Sequence, residues 1–412
     1  MNRAPATRLA RKLGVLDAVV IGMGSMIGAG IFAALAPAAR AAGAGLLVAL
    51  AVAAFVAYCN ATSSAELAAL YPESGGTYVY GRKRLSPFAG FVAGFGFVVG
   101  KIASCAAMAL TFADYAWPAL SRPLAFVAVV AMTAINCFGI AKTALATRVI
   151  VAFVLACLAL IVFAALAGGT VQASHLAPRA LDAAGILQAA GFLFFAFAGY
   201  ARIATLGEEV VDPARTIPRA IPLALGLTLA VYACVAVSAM LAVGAPALAA
   251  SSAPLVTAIA AGDYAMLTPV VRIGASVASL GVLLSLLAGI GRTSFAMAAN
   301  RDLPAWLAAV HPRYRVPHRA ELVIGAIVAA IVLVSDVRSA IGFSSFAVLV
   351  YYGIANASAW TLAPNERRRP RWLAVAGVAG CAVLALSLPL ASIVAGALVL
   401  AIGGLGYAFR WR

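Results

Sequence analysis

Apolar runs of bilayer-spanning length recur along this chain, separated by short polar breaks. Twelve fall at about residues 14–39, 44–69, 86–113, 122–140, 147–168, 185–206, 218–243, 267–299, 320–336, 338–362, 371–390 and 391–409. Such runs read as membrane helices, because only a helix satisfies its own backbone groups across the hydrocarbon core. Two spans break the pattern. The first carries Gly22-Met23-Gly24-Ser25-Met26-Ile27-Gly28-Ala29-Gly30-Ile31-Phe32, and the sixth carries Phe192-Leu193-Phe194-Phe195-Ala196-Phe197-Ala198-Gly199-Tyr200-Ala201-Arg202. Interrupted helices at corresponding places mark a transporter's binding site, since irregular backbone at membrane depth is tolerated only where it lines a cavity. Glycines that simply let helices pack closely are the competing reading.

Five spans separate the two breaks, and an odd number of spans per half turns the second half over. The expected fold is therefore an all-α polytopic membrane protein of about 12 transmembrane helices. It consists of a five-plus-five inverted repeat with broken helices 1 and 6, plus two extra C-terminal helices. The repeats would cover about 14–168 and 185–362, with the last two helices at about 371–409, all in one transport domain over 1–412.

Composition narrows the class. The 412 residues are 65% hydrophobic and 10% charged, which excludes a soluble globular protein of this length. The net charge of +16 would suit nucleic acid, but its placement assigns it to topology. If the spans alternate, one side collects Arg3, Arg8, Arg11, Lys12, Arg82, Lys83, Arg84, Lys142, Arg148, Arg215 and Arg219. The same side takes Arg301, Arg313, Arg315, Arg319, Arg367, Arg368, Arg369, Arg371, Arg410 and Arg412. The opposite side carries only Arg40, Arg122, Arg179 and Arg338. The positive-inside rule puts the richer side, with both termini, in the cytoplasm of a multi-pass cytoplasmic (inner) cell membrane protein. Anionic lipid headgroups are expected to attract that side, and nucleic acid is not an expected partner. The first apolar run continues as a full-length span, so no cleavable signal peptide is expected.

The six cysteines lie within spans without CxxC spacing, and His175, His311 and His318 lack ligand spacing, so neither metal nor cofactor is expected. No phosphate-binding loop is present to couple ATP hydrolysis.

Four stretches resemble amino acid permeases of the amino acid–polyamine–organocation superfamily, in that family's order. They are Gly28 to Phe32; Glu66-Leu67-Ala68-Ala69-Leu70-Tyr71-Pro72-Glu73-Ser74-Gly75-Gly76-Thr77-Tyr78-Val79-Tyr80; Phe194 to Gly199 followed by Glu208 to Ala220; and Ala296-Met297-Ala298-Ala299-Asn300-Arg301-Asp302-Leu303-Pro304. The resemblance implies a substrate site between spans one, three, six and eight. It also implies an aromatic gate just before the span-six break, a position that falls on Phe195.

An amino acid at such a site presents two charges. Free N–H groups starting the second half of span one, near Gly28, Ala29 and Gly30, suit its carboxylate, where the helix dipole is positive. Carbonyls near Met23, Gly24 and Ser25, and those of the second break at Ala198, Gly199 and Tyr200, suit its ammonium. Ala29 stands where many relatives have serine, which leaves recognition there to the backbone.

Lys101 and Arg202 are the charges nearest the middle of spans, and an ionisable group at that depth is functional by default. Lys101 either exchanges a coupling proton or holds a structural hydrogen bond. The lysine some relatives carry on span five is missing here. Arg202 departs from the acidic residue many relatives carry one position earlier; it either locks the break through carbonyls or favours an anionic group. Ser279 and Ser285 are candidate sodium ligands. Arg292 is expected to pair with Glu66 or Asp17 as an inner gate, while Glu208, Glu209, Asp212, Arg215 and Arg219 form a solvated loop.

These features point to a secondary active transporter, not an enzyme. It would move amino acids by alternating access with proton coupling, or sodium coupling as the second choice. An amino acid or polyamine exchanger or exporter is the alternative within transport, and a transporter-like sensor lies outside it.

Overall fold

The computed structural model describes residues 13–410 except 29, 74, 140–143, 178–181 and 208. Ala29 and Glu208 thus lie outside the described residues. Helices dominate, and their ends follow from local chemistry. Span one is α1 (Val15–Ile27) and α2 (Gly30–Ala42), and span two is α3 (Leu46–Leu70). A short helix, α4 (Thr77–Arg84), precedes span three, α5 (Pro87–Ala116). Ser86 caps α5 by accepting from the Ala89 N–H at 3.1 Å, with Pro87 at its first position.

Spans four and five are α6 (Ser121–Cys137) and α7 (Ala144–Ala167). Span six is α8 (Ala183–Phe197), a single tight turn at Ala198–Tyr200, and α9 (Ala201–Ala204). Span seven is α10 (Pro213–Ala250), followed by the short α11 (Pro254–Ala260). The remaining spans are α12 (Thr268–Ala299), α13 (His318–Val334), α14 (Val337–Trp360), α15 (Trp372–Ser387) and α16 (Leu390–Arg410).

Among the described residues, nine helical stretches are long and apolar enough to cross a membrane. The first of them, Gly30–Leu70, unites the second half of span one with span two through the turn Gly43–Gly45. Helices α13 and α15, of 17 and 16 residues, are about 25 Å long, a little under the hydrocarbon thickness. Each of the twelve expected apolar segments is helical over most of its described residues. The pattern did not foresee α4, α11 or the kink in α10 at Gly244, where φ is +74°, a value glycine adopts without steric cost.

The packing scheme repeats. Span one packs on span seven as span six packs on span two, and three packs on ten as eight packs on five. Two packs on ten as seven packs on five, and four on eight as nine on three; three meets eight and four meets nine. Exchanging each span with the one five places away maps these pairings onto themselves. The last two helices sit outside this scheme, α15 against α14 and α3, and α16 against α14 and α5.

Candidate functional site

The two broken spans cross each other in antiparallel fashion, with a glycine at each point of contact. A Cβ at Gly22 would overlap Ile203, one at Gly199 would overlap the Ser25–Met26 peptide, and one at Gly30 would overlap both Cα and Cβ of Ala196. The breaks at Gly28 and at Ala198–Tyr200 therefore lie side by side. Their exposed carbonyls are met by hydroxyls from neighbouring spans. The Tyr232 hydroxyl lies 2.6 Å from the Met26 oxygen and 3.0 Å from the Ala196 oxygen, and Tyr352 donates to the Ala198 oxygen at 3.1 Å. Both tyrosines are fully buried, so these bonds replace the water that an interrupted helix would otherwise need.

Beside this crossing lies a cavity of about 600 Å³, walled by α5, α8, α9 and α12. Ser25, Phe195, Ala198 and Gly199 form its inner end, while Leu13, Glu209 and Ala296 lie where it opens toward the basic face. A smaller adjoining cavity of about 270 Å³ reaches past Gly24 and Gly28 between α1, α7 and α12. On the far side of the breaks, α2, α5 and α12 are tied together. Tyr115 packs edge-on to Phe32 at 5.7 Å and donates to the Phe32 oxygen at 3.4 Å, and Arg272 on α12 donates to the Tyr115 oxygen at 2.7 Å.

Of the residues singled out in the sequence, Ser25, Lys101, Phe195, Ala198, Gly199, Arg202, Ser285 and Arg292 line the larger cavity. Gly24 and Gly28 line the smaller one. Lys101 sits half-way along α5, 7% exposed, and makes no hydrogen bond or ion pair among the described residues. Gly30 faces Ala196 and Tyr232 instead of either cavity. Tyr200 is buried against Tyr352, with ring centroids 5.0 Å apart, and Phe194 likewise packs edge-on to Tyr352. Ser279 is fully buried off the cavity, its hydroxyl without a partner. Ser25 donates to its own helix at Ile21.

The expected inner gate takes different partners. Asp17 is engaged by Arg148, and Glu66 accepts from the Arg368 backbone N–H at 2.8 Å. Arg292 instead lies 4.0 Å from Glu209, whose carboxylate is also 3.9 Å from Arg202. Glu209 is thus a cavity residue and not part of a solvated loop. The cause is a short backbone pairing that draws the segment after span six under the bundle: Leu13 N–H donates to the Glu209 oxygen at 3.2 Å and Val211 N–H to the Leu13 oxygen at 2.9 Å. Arg202 bonds Thr205 at 3.2 Å and no carbonyl of the break.

Two of the four family-like stretches meet on the basic face. Tyr78 on α4 donates to the buried Asp302 carboxylate at 2.6 Å, Arg82 bonds the same oxygen at 2.6 Å, and Asn300 donates to the Tyr78 hydroxyl at 3.1 Å. Burial, with the neighbouring carboxylate, pushes the Tyr78 phenol up to about 12. A second tie joins Arg84 to Glu366 at 2.6 Å, and that hydrogen bond holds the Glu366 carboxyl below its usual range. Asp302→Ala is expected to release α4 from α12 and lower stability by about 1–3 kcal/mol, because it leaves Arg82 and Tyr78 without their acceptor. Thermal unfolding in detergent checks this.

Broken helices meeting beside a cavity within a bundle of apolar spans define a multi-pass membrane transporter. The Amino acid permease family profile matches residues 17–412, and the chain belongs to that family. It is 63% identical over 404 residues to a Mycobacterium tuberculosis (strain H37Rv) protein described as an uncharacterized transporter, across 98% of this chain and 92% of that one. It is 26% identical over 383 residues to cationic amino acid transporter 7, chloroplastic, of Arabidopsis thaliana, across 85% and 65% of the two chains. A branched-chain amino acid permease of Bacillus subtilis (strain 168) is 25% identical over 377 residues, across 84% and 80%. The family is one of permeases and not of enzymes.

Proposed function

We propose that this chain moves amino acids across the cell membrane by alternating access, coupled to protons, with its basic face in the cytoplasm. The observation that carries the reading is the 600 Å³ cavity at the meeting of the two breaks, with Lys101 in its wall. Backbone groups of Gly28, reached through the adjoining smaller cavity, and of Ser25 would face the substrate's carboxylate and ammonium, and Phe195 would cover it. The two five-span halves would rock about the crossing, and in this conformation the cavity faces the cytoplasm while Phe32 and Tyr115 close the outer side. A lysine without a counter-ion at that depth is suited to take up and release a proton as the cavity changes sides. Sodium is the second reading, favoured by the unpartnered Ser279 hydroxyl.

The test is a screen of the purified protein in liposomes with imposed proton, sodium or amino acid gradients. An amino acid is expected to accumulate when the pH gradient alone is applied. Accumulation only with sodium moves the coupling to the second reading. If no amino acid or amine moves under any gradient, the transport assignment is wrong.

A further inference from the structure

Four charged side chains line the large cavity: Lys101, Arg202, Arg292 and Glu209. Glu209 is shared between the two arginines at 3.9 and 4.0 Å, beyond hydrogen-bond length for either. Among the described residues, Lys101 makes no ion pair. Of the nearby carboxylates, Asp17 is engaged by Arg148, Glu66 by the Arg368 backbone, Asp302 by Arg82 and Tyr78, and Asp114 at the far end of α5 by Ser121. Glu321 on α13 lines a separate small cavity with Arg292 and not this one. Among the described residues, the cavity thus holds three cations and one anion, and the cation set deepest into a helix is the unpaired one.

A buried charge is tolerated when a partner completes it, and here the partner must come with the ligand. An amino acid with a neutral side chain brings one charge of each sign, which its own backbone-binding groups consume, and Lys101 stays unpaired. A cationic side chain adds a fourth positive charge to a confined space. An anionic side chain supplies the missing carboxylate. We infer that the cavity selects amino acids of the aspartate and glutamate class, with Lys101 receiving the side-chain carboxylate and the Arg202–Arg292 pair drawing the anion in from the basic face. The inference rests on the proposed amino acid transport and names its substrate class. It also separates this chain from the plant relative, which is described as a cationic amino acid transporter.

The experiment measures uptake of radiolabelled glutamate by the full-length protein in liposomes, in competition with unlabelled aspartate, leucine and arginine. Aspartate is expected to compete, leucine weakly, arginine least. In Lys101→Met the preference for glutamate over leucine is expected to fall roughly 10- to 100-fold, the scale of one hydrogen bond to a charged group. Lys101→Arg should restore most of it, and Glu209→Gln, which removes the anion, should tighten glutamate binding. Should Lys101→Met fail to fold, the wild-type competition order decides alone. Uptake of leucine or arginine that glutamate does not inhibit overturns the inference and leaves amino acid transport standing. An equal loss of affinity for all amino acids, measured by exchange without an imposed gradient in folded Lys101→Met, also overturns it. Transport of no amino acid or amine removes the parent proposal itself, a result of a different kind.

Discussion

Gly30→Ala is expected to reduce the amount of folded protein before it touches any step of transport. The added methyl would overlap the Cα and Cβ of Ala196, and a backbone atom cannot rotate away as a side chain can. Overpacking of a tight core costs about 1–3 kcal/mol, and a backbone collision at the crossing of two spans belongs at the upper end. The measurement is the melting temperature and monodisperse yield in detergent. Gly226→Ala in α10 is the control, because a Cβ there meets nothing within 4 Å and gains helix propensity. Gly289→Leu provides the opposite pattern. Gly289 lines both cavities with open space at its Cβ position, so the fold should persist while substrate is excluded. A stable, active Gly30→Ala would mean that the broken spans do not touch where described.

Lys101→Ala is expected to abolish accumulation driven by a pH gradient while exchange at saturating substrate persists. Under the proposed coupling, accumulation needs a proton to travel with each substrate, and exchange needs only binding and rocking. With the membrane potential clamped at zero, two pH units support up to about 100-fold accumulation for one proton per substrate. The variant should instead stop at equal concentrations inside and out. If Lys101 were only a packing element, both activities would decline together with the melting temperature. Unimpaired pH-driven accumulation in the variant would remove Lys101 from the coupling step.

The positions of the spans were legible in the sequence because hydrocarbon imposes a length and a composition on any helix that crosses it. The breaks were legible because Gly28 to Gly30 and the Gly199–Arg202 run violate that composition at matched depths. What glycine was for was less so. At Gly30 the missing side chain admits Ala196 on span six, whereas at Gly28 it admits Val282 and the Ala278 oxygen of α12, at 2.6 and 2.9 Å from its Cβ position, beside the smaller cavity. Sequence spacing does not distinguish these two. Glu209 was hidden for a different reason: a glutamate among Asp212, Arg215 and Arg219 reads as a surface charge until the backbone pairing with Leu13 is known. Tyr232 and Tyr352 were equally invisible, since a tyrosine inside an apolar run looks like packing until its hydroxyl is seen against a carbonyl 36 or 154 residues away.

The crossing of span one with span six also sets an order for biosynthesis. Gly22, Ser25 and Gly30 have their partners in Ile203, Gly199 and Ala196, so about 170 residues separate each surface from the one that covers it. At ~5–20 residues per second, a ribosome needs roughly 10–35 s to bridge that interval. Throughout it the first span stands in the bilayer with bare backbone on one face and with the Met26 carbonyl awaiting Tyr232 from span seven. Lipid tails or a membrane-resident chaperone must occupy that face in the meantime. A ribosome that stalls before span seven leaves an insertion intermediate whose most adhesive surface is the face of span one that span six covers in the finished fold.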